Sequence, residues 1–144
     1  MLRSWARLAL PVTVALFGAC AVIQVFLAGL GVFDNARAFI THREFGYLFG
    51  WLTLVALVLA LVGRSPRRVT GLAALLLVQF ALQSVLVALR PGMPVVAALH
   101  PLNGFALLGV AVVLTRAAWA TRRVEAGTPS RVPGPALSAS SEPG

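Results

Sequence analysis

Residues 39–62 read "FITHREFGYLFGWLTLVALVLALV". A histidine, an arginine and a glutamate stand together at its start, and the eighteen residues from Phe45 to Val62 carry no charge. An apolar run of that length is what a helix needs to cross a hydrocarbon core about 30 Å thick. Three further runs flank it, at about Leu8–Phe33, Val69–Leu89 and Val95–Thr115. Their Leu, Val, Ala and Gly content predicts helices rather than barrel strands, which would alternate in segments of about ten residues. The expected fold is all-α, a transmembrane four-helix up-down bundle.

Composition leads to the same class. The 144 residues are 59% hydrophobic and 11% charged, with mean hydropathy +0.90. That much apolar surface does not fit inside one soluble core of this size. Residues 1–119 are therefore read as the transmembrane domain and residues 120–144 as a disordered cytoplasmic tail. The stretch "TRRVEAGTPSRVPGPALSASSEPG" from Thr121 onward is rich in Pro, Ser and Gly and poor in large apolar residues.

A net charge of +8 would point to nucleic acid in a soluble protein, but the placement of the charges points to a membrane. All 12 cations are arginines. Nine of them (Arg3, Arg7, Arg64, Arg67, Arg68, Arg116, Arg122, Arg123 and Arg131) fall on one side of the spans, and Arg37, Arg43 and Arg90 fall on the other. Short arginine-rich loops stay in the cytoplasm, so both termini are expected inside, in the inner (plasma) membrane of a cell, with both histidines near the outer ends. Trp5 and Trp119 then lie at the inner interface. The single cysteine, Cys20, rules out an internal disulfide and any multi-cysteine metal site. "LFGAC" at residues 16–20 is a poor lipoprotein cleavage box, because the apolar run continues to Phe33.

The rare polar residues inside the spans repeat. Gln24 precedes His42 by 18 residues, Gln83 precedes His100 by 17, and a glycine follows each histidine by four, at Gly46 and Gly104. The chain has three glutamines and two histidines, so the matched spacings point to a duplicated helical hairpin. Hairpins that each run out and back are parallel repeats related by an axis along the membrane normal. The two histidines then approach a common centre from opposite sides.

Ionisable residues within a membrane mark function by default. Two imidazoles with no deep cysteine or carboxylate make a poor zinc site, which wants four ligands. They suit a haem, which needs one or two protein ligands. His42 and His100 are thus candidate iron ligands. Gly46 and Gly104, one turn along the same faces, leave room for a macrocycle or simply for close helix packing. Arg43 and Arg90, with Arg37, are candidates for haem propionates through their bidentate forks, or ordinary headgroup arginines. Gln24, Gln83 and Asn103 fit interhelical hydrogen bonds. Pro101 is compatible with a helix that starts near His100.

"THREFGYL" at residues 41–48, "LVQFALQSVLV" at 77–87 and "LHPLNGFALL" at 99–108 resemble one four-helix half of haem A synthase. The resemblance covers about residues 8–116. It implies axial positions for His42 and His100 and matches Gln83 to the glutamine of that family's third helix. Haem A synthases join two such bundles, whereas this chain has one bundle and one histidine pair. The whole chain is also similar to a family of small four-helix bacterial integral membrane proteins of unknown function, which share the pattern "FLAGLGVF…HR…G…LH".

Three functions fit these observations. The first is a cytochrome b-like protein holding one b-type haem for electron transfer or haem handling. The second is a cofactor-free four-helix accessory or structural protein, and the third is a quinone- or lipid-binding protein. The lipid bilayer is a partner in all three; a membrane redox partner, a quinone and a second copy of the chain are compatible further partners, and nucleic acid is not. The sequence offers no catalytic residues: no nucleophile–base pair, phosphate loop or carboxylate dyad is present, and of the four acids Asp34 and Glu44 are expected on the outer side and Glu125 and Glu142 in the tail.

Overall fold

A computed structural model describes residues 1–127, and all regular structure among them is helical. The elements are α1 (Leu2–Phe33), α2 (Ala38–Val62), α3 (Arg67–Ala88), a single turn α4 (Pro94–Ala97) and α5 (Leu99–Gly127). Helices α1, α2, α3 and the α4–α5 run are each long and apolar enough to cross a membrane. The protein is therefore a multi-pass membrane protein in contact with the lipid bilayer.

Two boundaries differ from the hydropathy reading. Helix α1 begins at Leu2 rather than Leu8, and α5 runs on to Gly127, so the boundary expected at residue 119 falls inside a helix. Hydropathy marks where the bilayer ends, whereas the helix ends where its sequence stops favouring it, and "RAAWATRR" at residues 116–123 consists largely of strong helix formers. The rest of the expected tail, residues 128–144, lies outside the described residues.

The helices stand at the corners of a square. Helix α1 packs against α2 and α5, and α3 packs against α5 and α2, while α1 and α3 sit on one diagonal and α2 and α5 on the other. A two-fold axis down the centre would exchange the α1–α2 hairpin with the α3–α5 hairpin. This is the arrangement a duplicated hairpin requires.

Small residues let the backbones approach. Ala56, Ala60, Ala73 and Ala111 are buried beside Leu10, Val14, Leu76 and Leu114. Close packing of this kind supplies the attraction that hydrophobic burial cannot supply between helices already in lipid. Midway along the bundle Phe17, Phe45, Phe49 and Phe80 form a chain of ring contacts, with centroids 5.2 to 6.1 Å apart. The Phe80 ring lies directly on the bare backbone of Gly50. Thr53, one turn beyond, is fully buried and donates its hydroxyl to the Gly50 carbonyl at 2.8 Å.

The α2–α3 connection is a tight turn. Arg64 takes a left-handed conformation (φ 48°), Ser65 N–H bonds to Ala60 O and Arg64 N–H to Leu61 O. This is the Schellman pattern, with arginine where glycine is usual. Arg7 of α1 reaches across to the same turn, donating from Nε to Gly63 O at 2.7 Å and from Nη2 to Arg64 O at 3.3 Å. Cations suit the carbonyl end of a helix.

Gly50→Ala should lower stability by about 1–3 kcal/mol, because Phe80 fills the space its Cβ needs. Gly71→Ala meets open space on α3 and should be neutral or stabilising by up to about 1 kcal/mol. Unfolding both variants and the parent in mixed detergent micelles checks the contrast.

Candidate functional site

His42 is the fifth residue of α2 and His100 the second of α5, so both stand at the same end of the bundle on diagonal helices. Their rings meet across the centre, with centroids 6.3 Å apart and planes inclined at 65°. Neither packs alone. The His42 Nδ1 lies 3.0 Å from Gln24 O on α1, and the His100 Nδ1 lies 3.3 Å from Gln83 O on α3. A carbonyl only accepts, so each Nδ1 carries a proton, and in the neutral imidazole each Nε2 then keeps its lone pair.

The matched spacings of the two hairpins thus correspond to matched contacts. In each, the histidine of the returning helix donates to the main-chain carbonyl of the glutamine on the outgoing helix. In each, the glycine one turn after the histidine lies under that glutamine's side chain. A Cβ on Gly46 would stand 2.7 Å from Gln24 Nε2, and one on Gly104 would stand 3.3 Å from Gln83 Nε2. The space over both glycines is occupied by glutamine amides.

The hairpins differ in how the amides are satisfied. Gln24 Nε2 donates to His42 O at 2.7 Å, which closes a reciprocal pair of bonds between α1 and α2. In the other half, Asn103 Nδ2 donates to Gln83 Oε1 at 2.9 Å and to Gln79 O at 3.0 Å. Two buried oxygens, Gln24 Oε1 and Gln79 Oε1, have no hydrogen-bond partner. The Gln79 oxygen was not singled out by sequence reasoning. Its signal was available: Gln79 precedes Gln83 by four and shares its helix face.

Pro101 falls in the first turn of α5, where its missing N–H leaves no intrahelical bond unmade. The break at Ala98 between α4 and α5 precedes it. The arginines of this end stay at the surface. Arg37 and Arg90 are exposed in the loops, and Arg43 is exposed on α2, its Nη2 lying 4.0 Å from Glu44 Oε1. Phe39 stacks edge-on to His42 at 6.4 Å.

Among the described residues no group of three or more His, Cys, Asp or Glu converges, so a bare metal ion has at most the imidazole pair. Such a pair can ligate a metal that brings its other donors with it, or accept hydrogen bonds at two Nε2 atoms.

A model for a family of unknown function (DUF6220) matches residues 24–89, which run from Gln24 through His42 and Gln83 and stop short of His100. No curated protein and no solved structure matches the chain.

Proposed function

We propose that this membrane protein holds one b-type haem between His42 and His100 and serves electron transfer or haem handling. The observation that carries the reading is the opposed imidazole pair, each ring oriented through Nδ1 with its Nε2 lone pair left over. Metal-bound histidines characteristically donate their other nitrogen to a carbonyl or carboxylate, which fixes tautomer and orientation. Two metal–imidazole bonds of about 2 Å each, plus a ring radius on either side, come to about 6 Å between ring centres. The observed separation is 6.3 Å.

The residues present fit such a group on a further count. Two amide oxygens buried without a donor are unusual inside a bundle, where each unpaired polar atom is costly. The Gln24 side chain therefore has reason to swing off Gly46 when a larger group takes that space, whereas the Gln83 oxygen already accepts from Asn103 Nδ2. Arg43 and Arg90 would hold propionates at the same end. A haem held between these two imidazoles would supply one-electron exchange. The protein residues hold the imidazoles in one tautomer, shield them from lipid and limit water. A membrane redox partner or a quinone would complete the circuit, and no residue of the chain is assigned a catalytic role.

One observation favours a second reading, a cofactor-free accessory protein. The polar contacts Gln24–His42 and Gln83–Asn103–Gln79 already clasp the helices pairwise as they stand. The absorption spectrum of the detergent-purified protein, supplied with haemin and then reduced with dithionite, separates the two. The haem reading expects a low-spin spectrum that His42→Ala and His100→Ala each abolish, with little added by the double change, because ligands of one iron act as a unit. A protein that takes up no haem, with single variants that lose only about 0.6 kcal/mol of stability each, establishes the second reading instead.

We further propose an inner (plasma) membrane location with both termini cytoplasmic, from the nine-to-three arginine distribution. A reporter active only in the cytoplasm should work when fused after residue 144 and be silent within the 34–37 loop. The reverse pattern inverts the topology.

A further inference from the structure

The end of the bundle opposite the histidines carries eight of the eleven arginines among the described residues: Arg3, Arg7, Arg64, Arg67, Arg68, Arg116, Arg122 and Arg123. A cleft opens there between the start of α1, the α2–α3 turn and the last turns of α5. Arg7, Ser65, Thr121 and Arg122 edge it, and Leu10 and Val69 form its floor. All four edge residues are half-buried.

Three features give the cleft a preference. The Arg122 guanidinium lies over the Trp119 ring, 5.0 Å from its centroid. Stacking occupies the flat face of a guanidinium and leaves its in-plane N–H fork available for a bidentate acceptor such as phosphate. The Ser65 hydroxyl makes no hydrogen bond within the described residues. Thr121, by contrast, has committed its proton to Ala117 O at 3.0 Å. Finally, no side chain caps the first turn of α3, which begins two residues after Ser65, so its amides add partial positive charge at the same place.

We propose that this cleft binds the headgroup of an anionic phospholipid, with Arg122 and Ser65 as its donors and Arg7 and the α3 amides as its field. The cleft admits only about 10 Å³, so the phosphate sits over its mouth rather than inside. The occupant is a lipid rather than a soluble anion because the cleft lies where the apolar spans end. Trp119 is at the level of a membrane–water interface, and the exposed apolar flanks of α1 and α5 continue from the cleft into the bilayer, where acyl chains lie. Basic pockets between helices at this depth are suited to anionic headgroups. This inference is independent of what the histidines hold.

The test uses the full chain with Trp119 as its single tryptophan (Trp5→Phe, Trp51→Phe), reconstituted in phosphatidylcholine vesicles. A minor fraction of either phosphatidylglycerol or phosphatidylcholine is brominated near the glycerol. The expected result is several-fold stronger quenching of Trp119 by the brominated phosphatidylglycerol, reduced to parity in Arg122→Gln, only partly retained in Arg122→Lys, which keeps the charge without the planar fork, and unaffected by inorganic phosphate in the buffer. Equal quenching by the two lipids in the parent overturns the proposal, as does an undiminished preference in Arg122→Gln. Loss of the preference on adding inorganic phosphate would instead mark a site for the free anion. Circular dichroism of each variant verifies that it is folded.

Discussion

The structure depends on a hydrogen bond made twice, from the Nδ1 of a histidine to the main-chain carbonyl of a glutamine on the neighbouring helix. A helical carbonyl already accepts the bond of its own ladder, and its second lone pair is the acceptor a buried imidazole can reach without disturbing either helix. In hydrocarbon no water offers an alternative, so each bond fixes the depth of α2 against α1 and of α5 against α3. That register brings both rings to one level across the diagonal. It also brings each glycine under an amide, since Gly46 and Gly104 lie one turn beyond the histidines on the same faces.

The two halves are alike in these contacts, and they depart from each other at particular positions. Four residues before the glutamine stands Cys20 in the first hairpin and Gln79 in the second; three residues after the histidine stands Phe45 in the first and Asn103 in the second. The second hairpin has thus acquired a connected set of amides, and the first an aromatic ring that joins Phe49, Phe17 and Phe80. Polar and aromatic residues lie side by side at the same depth. The polar set extends to Gln79, and the next residue, Phe80, belongs to the ring cluster.

The architecture was legible in the sequence because each span is a long run and because the repeat is carried by rare residues. His42, His100, Gln24 and Gln83 could be paired from spacing alone. What spacing could not supply was the identity of the acceptor. The reading offered side-chain amides as interhelical partners, yet the imidazoles bond to main-chain oxygens, which every residue possesses and no sequence pattern marks. The glycines illustrate the same limit. Their position on the histidine face was readable, but whether a macrocycle or a glutamine amide fills the notch depends on side-chain torsions. The helices extend beyond the apolar spans where hydropathy and helix propensity part, at "LRSWAR" before the first span and "RAAWATRR" after the last. The arginines of the histidine end are exposed in the folded chain, a direction that spacing does not carry.

The two ends of the bundle are chemically separate. From His42 to Val62 is 20 residues of α2, or about 30 Å at 1.5 Å per residue. Between them lie the phenylalanine cluster and an alanine-lined core in which Thr53 satisfies itself on its own helix. No polar side chain spans that interval through the buried core, so a proton has no continuous path from one end to the other. Both imidazoles lie within about one helical turn of the nearest loops. The arginine end is tied together by Arg7 across the α2–α3 turn, and the amide and imidazole groups of the interior gather in the opposite half of the bundle.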